Sequence, residues 1–129
     1  MEQDHTKTVK SDSGLKLLDK VRTYCMGLPE VAEQVDSFGH TSFRVNDKPF
    51  VMMGEHREEG SLAIKTSPAT QEILLQQDRT EYFKTPYIGQ HGWVSIRFAN
   101  RVNWQEIEEL VQEAYLRTAP KRLIRLLER

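Results

Sequence analysis

Four cations sit inside strand-like segments of this chain, and residues of that type, so spaced, suit a surface that holds anions. Arg44 falls in Phe38-Gly39-His40-Thr41-Ser42-Phe43-Arg44-Val45. Lys48 follows the turn pair Asn46-Asp47, Lys65 ends Leu62-Ala63-Ile64-Lys65, and Arg97 lies late in Trp93-Val94-Ser95-Ile96-Arg97-Phe98. Side chains alternate between the two faces of a strand. Ser42 and Arg44 therefore point away from Phe43 and Val45, and Trp93, Ser95 and Arg97 away from Val94, Ile96 and Phe98. If one sheet face is buried, Arg44, Lys48, Lys65 and Arg97 are expected together on the other, with Trp93 beside them. Such cations neutralise phosphates, and an indole among them can stack a base. The plainer alternative stays open and is the commoner arrangement: a solvated face of ordinary charges, with Glu33 and Glu72 to neutralise it.

Other reactive residue types do not assemble into a centre. His40, His56 and His91 have no helical four-residue spacing and no Cys or clustered Asp with them, so a metal site is not expected. Cys25 lies on an apolar helical stripe, where a thiol is buried and inert. There is no Gly-x-Ser-x-Gly elbow, phosphate-binding glycine loop or dinucleotide fingerprint. No cofactor and no enzymatic activity are expected. Tyr82, Phe83 and Tyr87, in a loop-like stretch, either pack that loop onto the core or rim a pocket for a small anion with Lys48 and Lys65. Near the C-terminus, Arg117, Lys121, Arg122, Arg125 and Arg129 face one anion, Glu128, while Glu106, Glu108, Glu109 and Glu113 precede them. Acid early and base late complements a helix dipole. The alternative is a basic amphipathic arm for DNA or a protein partner.

The elements that must position these residues follow from periodicity. Leu18, Val21, Cys25 and Leu28 mark an amphipathic helix from about Gly14 to Met26, capped by Asp12 or Ser13 and stopped by Gly27 and Pro29. Residues 30–36 read as a strand by preference. Three strands follow as a meander, with Asn46-Asp47 as a tight turn and Gly54 to Gly60 as a longer loop. Ser67-Pro68 opens a helix to about Gln77 or Asp78, with Ile73 and Leu74 toward the sheet. Arg79 to Gly92 reads as loop, and Trp93 to Phe98 as the last strand. Asn103 caps a long helix to about Arg117, and Lys121 to Glu128 adds further helical turns after Pro120. The expected fold is α+β, a two-layer sandwich with helices on one face of an antiparallel sheet.

Composition sets bounds on this reading. With 129 residues, one domain is expected. The net charge of −1 excludes binding of a polyanion by overall charge and requires a local patch. A single cysteine allows no internal disulfide and fits a reducing, cytoplasmic setting. No apolar run is long enough to span a bilayer, and no membrane partner is expected. Residues 1–13, His5 among them, are expected to be a flexible tail, residues 14–118 the domain, and residues 119–129 a basic, helical extension.

In their order and spacing, Leu28-Pro29-Glu30, Phe38-Gly39-His40, Phe43-Arg44-Val45 with Lys48-Pro49-Phe50, Leu62-Ala63-Ile64-Lys65, Gly92-Trp93-Val94 and Ala114-Tyr115 resemble the bacterial MmcQ/YjbR family. The resemblance spans about residue 15 to residue 118. It implies a compact α+β fold of frataxin-like (CyaY-like) or secretion-chaperone-like kind, with winged hairpins. It also implies DNA binding, with no agreed cofactor or catalytic residue. The family's basic strand positions match Lys48 and Lys65, and its aromatic strand position matches Trp93. The function expected is non-enzymatic DNA binding through Arg44, Lys48, Lys65, Trp93 and Arg97. The alternatives are a protein-interaction module, using the C-terminal extension, and a small anionic-ligand binder.

Overall fold

The computed structural model describes residues 7–128. Helix α1, Asp12–Met26, buries the stripe Leu18, Val21 and Cys25. It starts two residues before Gly14 and is capped by Ser11, whose hydroxyl accepts the Gly14 N–H at 3.2 Å. Gly27 closes it in a right-handed conformation, with its N–H donated to the Tyr24 carbonyl at 3.2 Å. The chain is laid down well before Ser13, contrary to the expectation of a free tail. The Glu55 N–H donates to the Lys7 carbonyl at 3.0 Å, and Val9 is buried. His5 lies outside the described residues.

Among the described residues, six antiparallel strands form one sheet: β1 Ala32–Val35, β2 Thr41–Val45, β3 Lys48–His56, β4 Glu59–Lys65, β5 Tyr82–Lys84 and β6 Trp93–Ile96, in the order β1-β2-β3-β4-β6-β5. Asn46-Asp47 makes the expected tight turn, with both residues at positive φ. Two expected loops are strand instead. The polar stretch after Gly54 stays paired as far as His56 opposite Glu59. Only Arg57 and Glu58 turn, again both at positive φ, the two-residue geometry whose twist matches a hairpin. Within the stretch from Arg79 to Gly92, Tyr82–Lys84 pairs with β6 as an edge strand, and Gly89–His91 forms a short 3-10 turn.

Helix α2 is Pro68–Gln76, α3 is Trp104–Thr118 and α4 is Lys121–Leu127. Ser67 and Asn103 cap α2 and α3 through Thr70 N–H and Gln105 N–H. In α2, Leu74 and Gln71 are buried, whereas Ile73 points to solvent. The Thr70 hydroxyl donates to Glu113 at 2.7 Å and ties α2 to α3.

Register fixes which side chains meet the helices, because Cα partners across antiparallel strands point to one face. Phe43, Val51, Ile64 and Val94 share a side with Met53, Leu62 and Ile96. All seven join one buried cluster with Leu18, Val21 and Cys25 of α1 and Ile107, Val111 and Tyr115 of α3. Ser42, Met52, Ala63 and Ser95, on the other side, are absent from that cluster. The fold is therefore α+β and, among the described residues, has helices on one face of the sheet and none on the other. Close approach of α1 to the β3–β4 hairpin requires glycine: a Cβ on Gly60 would sit 2.5 Å from Gly14 Cα.

The C-terminal segment is part of this body. Leu123 is 1% exposed, Arg122 makes a two-pronged ion pair with Glu30 at 2.6 and 2.9 Å, and the Tyr115 hydroxyl donates to the Pro29 carbonyl at 2.8 Å. Tyr115 also meets Phe50 edge to face at 5.6 Å. No helix among the described residues is long and apolar enough to cross a membrane.

Candidate nucleic-acid interface

The helix-free face carries three of the four strand cations. Arg44 lies opposite Pro49, Lys65 opposite Trp93, and Arg97 follows Ile96 one residue beyond β6. Arg97 stays aligned because its N–H donates to the Glu81 carbonyl at 2.8 Å. Alternation therefore puts Arg44, Lys65, Trp93 and Arg97 on one side. Arg44 and Lys65 stand at similar heights two strands apart, roughly 10 Å at the usual strand spacing, and Arg97 lies roughly 13 Å further along its strand.

Lys48 is not with them. The ladder shifts between Phe43 and Arg44, so that Phe43 faces Val51 while Arg44 faces Pro49 and Phe50 is the extra residue. Phe50 and Val51 both enter the core. The bulge re-phases the strand, since one inserted residue exchanges the faces of everything beyond it. Lys48 consequently pairs with Val45, on the helix side, and its own side chain is exposed at the rim. Expecting all four cations on one face was wrong at this residue.

The three cations differ in how free they are. Arg44 donates from Nη2 to the Asp47 carbonyl at 2.9 Å. Its Nε lies 3.8 Å from Asp47 Oδ1, too far for a hydrogen bond, and this buried donor has no acceptor among the described residues. Asp47 is itself almost fully exposed, so the pair is weak. Arg97 lays its guanidinium over the Phe83 ring at 5.0 Å, which flattens it against the sheet and leaves it without a carboxylate partner among the described residues. Lys65 is half-buried and likewise unpaired. Glu33, a proposed neutraliser, is occupied elsewhere. It lies on the opposite side, opposite Phe43, and Arg22 grips it with two bonds at 2.7 and 2.8 Å. The bond from Arg22 holds its carboxyl below the ordinary value.

Trp93 is only 5% exposed and lies outside the helix-side cluster. Its ring is not available to stack a base. It supports the sheet face from which Lys65 and Arg97 extend. Phe83, half-buried beneath Arg97, is the aromatic on this face, and it lies in β5 rather than in the expected loop. Its only signal there was the short alternation of Tyr82-Phe83-Lys84. Tyr82 faces the other way, is buried and hydrogen-bonds Glu106, while Tyr87 is 94% exposed. These three aromatics therefore do not converge on a pocket.

The remaining candidates do not join the sheet-face cations. Cys25 is buried, and desolvation pushes its thiol up to about 12. His40 hydrogen-bonds Asp36 at 3.2 Å within a turn whose Oδ1 also accepts the Phe38 and His40 N–H groups. Among the described residues no group of His, Cys, Asp and Glu could hold a metal ion. Of the tail cations, Arg122 is held by Glu30, while Arg117, Lys121 and Arg125 are exposed. Arg129 lies outside the described residues. Sequence reasoning also missed Glu55. It is a 5%-exposed strand carboxylate that accepts from Lys10 N, Ser11 N and Ser11 Oγ at 3.1–3.3 Å and so anchors the start of α1. Burial alone would raise its carboxyl, but those donors outweigh burial and hold it below the ordinary value.

The YjbR family model matches residues 26–117 of the chain. Among solved structures, the fold is similar to the crystal structure of Deinococcus radiodurans protein DR2400, which has a DUF419 domain. The TM-score is 0.69 at 19% identity, covering 89% of this chain and 80% of that one. No curated protein matches.

Proposed function

The chain belongs to the YjbR family, and from that premise we propose that it is a non-enzymatic module that holds a nucleic-acid backbone, DNA first of all, on the helix-free face of its sheet. The observation that carries this reading is the register. It gathers Arg44, Lys65 and Arg97 on one face, and none of the three is locked in a close carboxylate pair. Three contacts on a chain of net charge −1 describe weak, backbone-directed binding rather than base readout. Trp93, being buried, acts as the floor of the site and not as a stacking platform.

Fluorescence anisotropy with labelled single-stranded and duplex oligonucleotides at low salt tests the reading. Binding should be saturable and should fall as salt rises. Arg44→Glu with Lys65→Glu should abolish it while leaving the circular dichroism spectrum unchanged. Absence of binding by the natural chain at low salt overturns the proposal.

A protein partner at the C-terminal helix is a second reading, favoured by Leu126 and Leu127. These residues continue the Leu123 face of α4 yet remain exposed, beside Lys121 and Arg125. Such a surface fits an acidic amphipathic partner. Leu126→Ser with Leu127→Ser should then lose a salt-sensitive partner from a cell extract, whereas Arg44→Glu should retain it.

A further inference from the structure

A cavity with paired cations lies at the end of the sheet where β6 runs into the segment before α3, and Arg97 is among its lining residues. Between α1, the segment after β6 and the start of α3 there is a cavity of about 370 Å³, within the range of small-molecule sites. Its floor is carbon: Leu17, Phe98, Val102, Trp104 and Ile107 line it. Lys16 and Lys20 stand on one wall, one helical turn apart, so their ammonium groups can reach a single anionic group. Neither is paired with a carboxylate among the described residues. Lys20 sits 5.6 Å over the Trp104 ring, which fixes one ammonium at the edge of the apolar floor. Among the described residues that line it, Glu59 is the only carboxylate.

A neighbouring depression shares Lys20 and Trp104 but also carries Asp19 and Glu108. Two carboxylates there repel an anion, so charge selects the first cavity over the second. We propose that the cavity between α1 and α3 binds a small organic anion, with its carboxylate or phosphate on Lys16 and Lys20 and its apolar body against Trp104 and Val102. The two parts act together. The carbon floor gives burial that a free inorganic anion cannot use, and the paired ammonium groups give a preference that a neutral apolar molecule cannot satisfy.

The probes are 1-naphthyl phosphate, 1-naphthoate, the neutral 1-naphthol and inorganic phosphate, read by thermal shift and by titration calorimetry on the full chain. Either naphthyl anion should bind with one-to-one stoichiometry and raise the Tm. 1-Naphthol and inorganic phosphate should each bind at least about tenfold more weakly, the loss expected when one partner set of about 1.4 kcal/mol is removed. Lys16→Gln with Lys20→Gln, both at exposed positions, should remove that preference. Val102→Trp, which fills the cavity, should block every probe. Arg44→Glu with Lys65→Glu should leave naphthyl-anion binding untouched, because neither residue lines the cavity, so failure of this proposal and failure of the sheet-face reading are distinguishable. The proposal is overturned if no naphthyl anion binds, or if the Lys16/Lys20 double variant binds it as the natural chain does.

Discussion

Salt dependence gives the sharpest measurement of the sheet face, because the number of phosphates contacted sets the slope. Three cations share that face. With about 0.7 counterions released per contact on a single strand and about 0.9 on a duplex, log K should fall with log salt at slopes of about −2 and −2.7. Raising salt from about 50 to about 200 mM should weaken binding roughly 20-fold for single strands and roughly 40-fold for duplex. Removing one contact by Arg44→Ala, Lys65→Ala or Arg97→Ala should lower the slope by about one contact's share. Lys48→Ala should leave the slope unchanged, because the bulge at Phe50 turns Lys48 to the helix side. Asp47→Asn frees Arg44 from a weak exposed pair and should tighten binding by at most about fivefold, the ceiling of about 1 kcal/mol for such a pair. The assay is anisotropy at five or more salt concentrations. A slope steeper than about −5, or a Lys48→Ala effect equal to that of Lys65→Ala, would refute the assignment of three contacts on one face.

Three further outcomes follow from the packing. Glu55→Ala removes the acceptor of three long hydrogen bonds and should cost about 2–3 kcal/mol, seen as a lower urea midpoint. The folded Glu55 carboxyl is depressed below its ordinary 4.5, so its contribution is complete above that value and lost as pH falls through the folded value. Glu55→Gln should therefore flatten the acid side of a stability-versus-pH curve, and an unchanged curve would contradict the anchoring role. Leu123→Ala should cost about 2–4 kcal/mol, and removal of residues 119–129 should destabilise the fold, because Leu123 is core; a truncated chain with an unchanged Tm would show otherwise. Cys25 should resist alkylation at pH 8 in the native protein and react fully in urea, since burial raises its thiol to about 12; mass spectrometry decides.

The parts legible in the sequence are those where one local signal decides. The stripe Leu18, Val21, Cys25 placed α1, the Ser67-Pro68 pair placed the start of α2, and Asn46-Asp47 placed a turn. What escaped depends on partners distant in the chain. Arg57 and Glu58 carry no turn preference like that of Asn-Gly, and they adopt positive φ because β3 and β4 pair on either side of them. Glu55 reads as a loop acid, yet it is buried because the segment from Lys7 to Ser11 returns to supply its donors. The decisive miss for the site was the bulge. Strict alternation along Lys48-Pro49-Phe50-Val51 cannot bury both Phe50 and Val51, and the structure buries both. Two adjacent large apolar residues in a half-buried strand thus demand an irregularity, and every face assignment beyond it must be reversed. Applied to Lys48, that rule removes one cation from the helix-free face and leaves Arg44 and Lys65 as its paired end. Lys48→Ala is for that reason the control on which the three-contact slope depends.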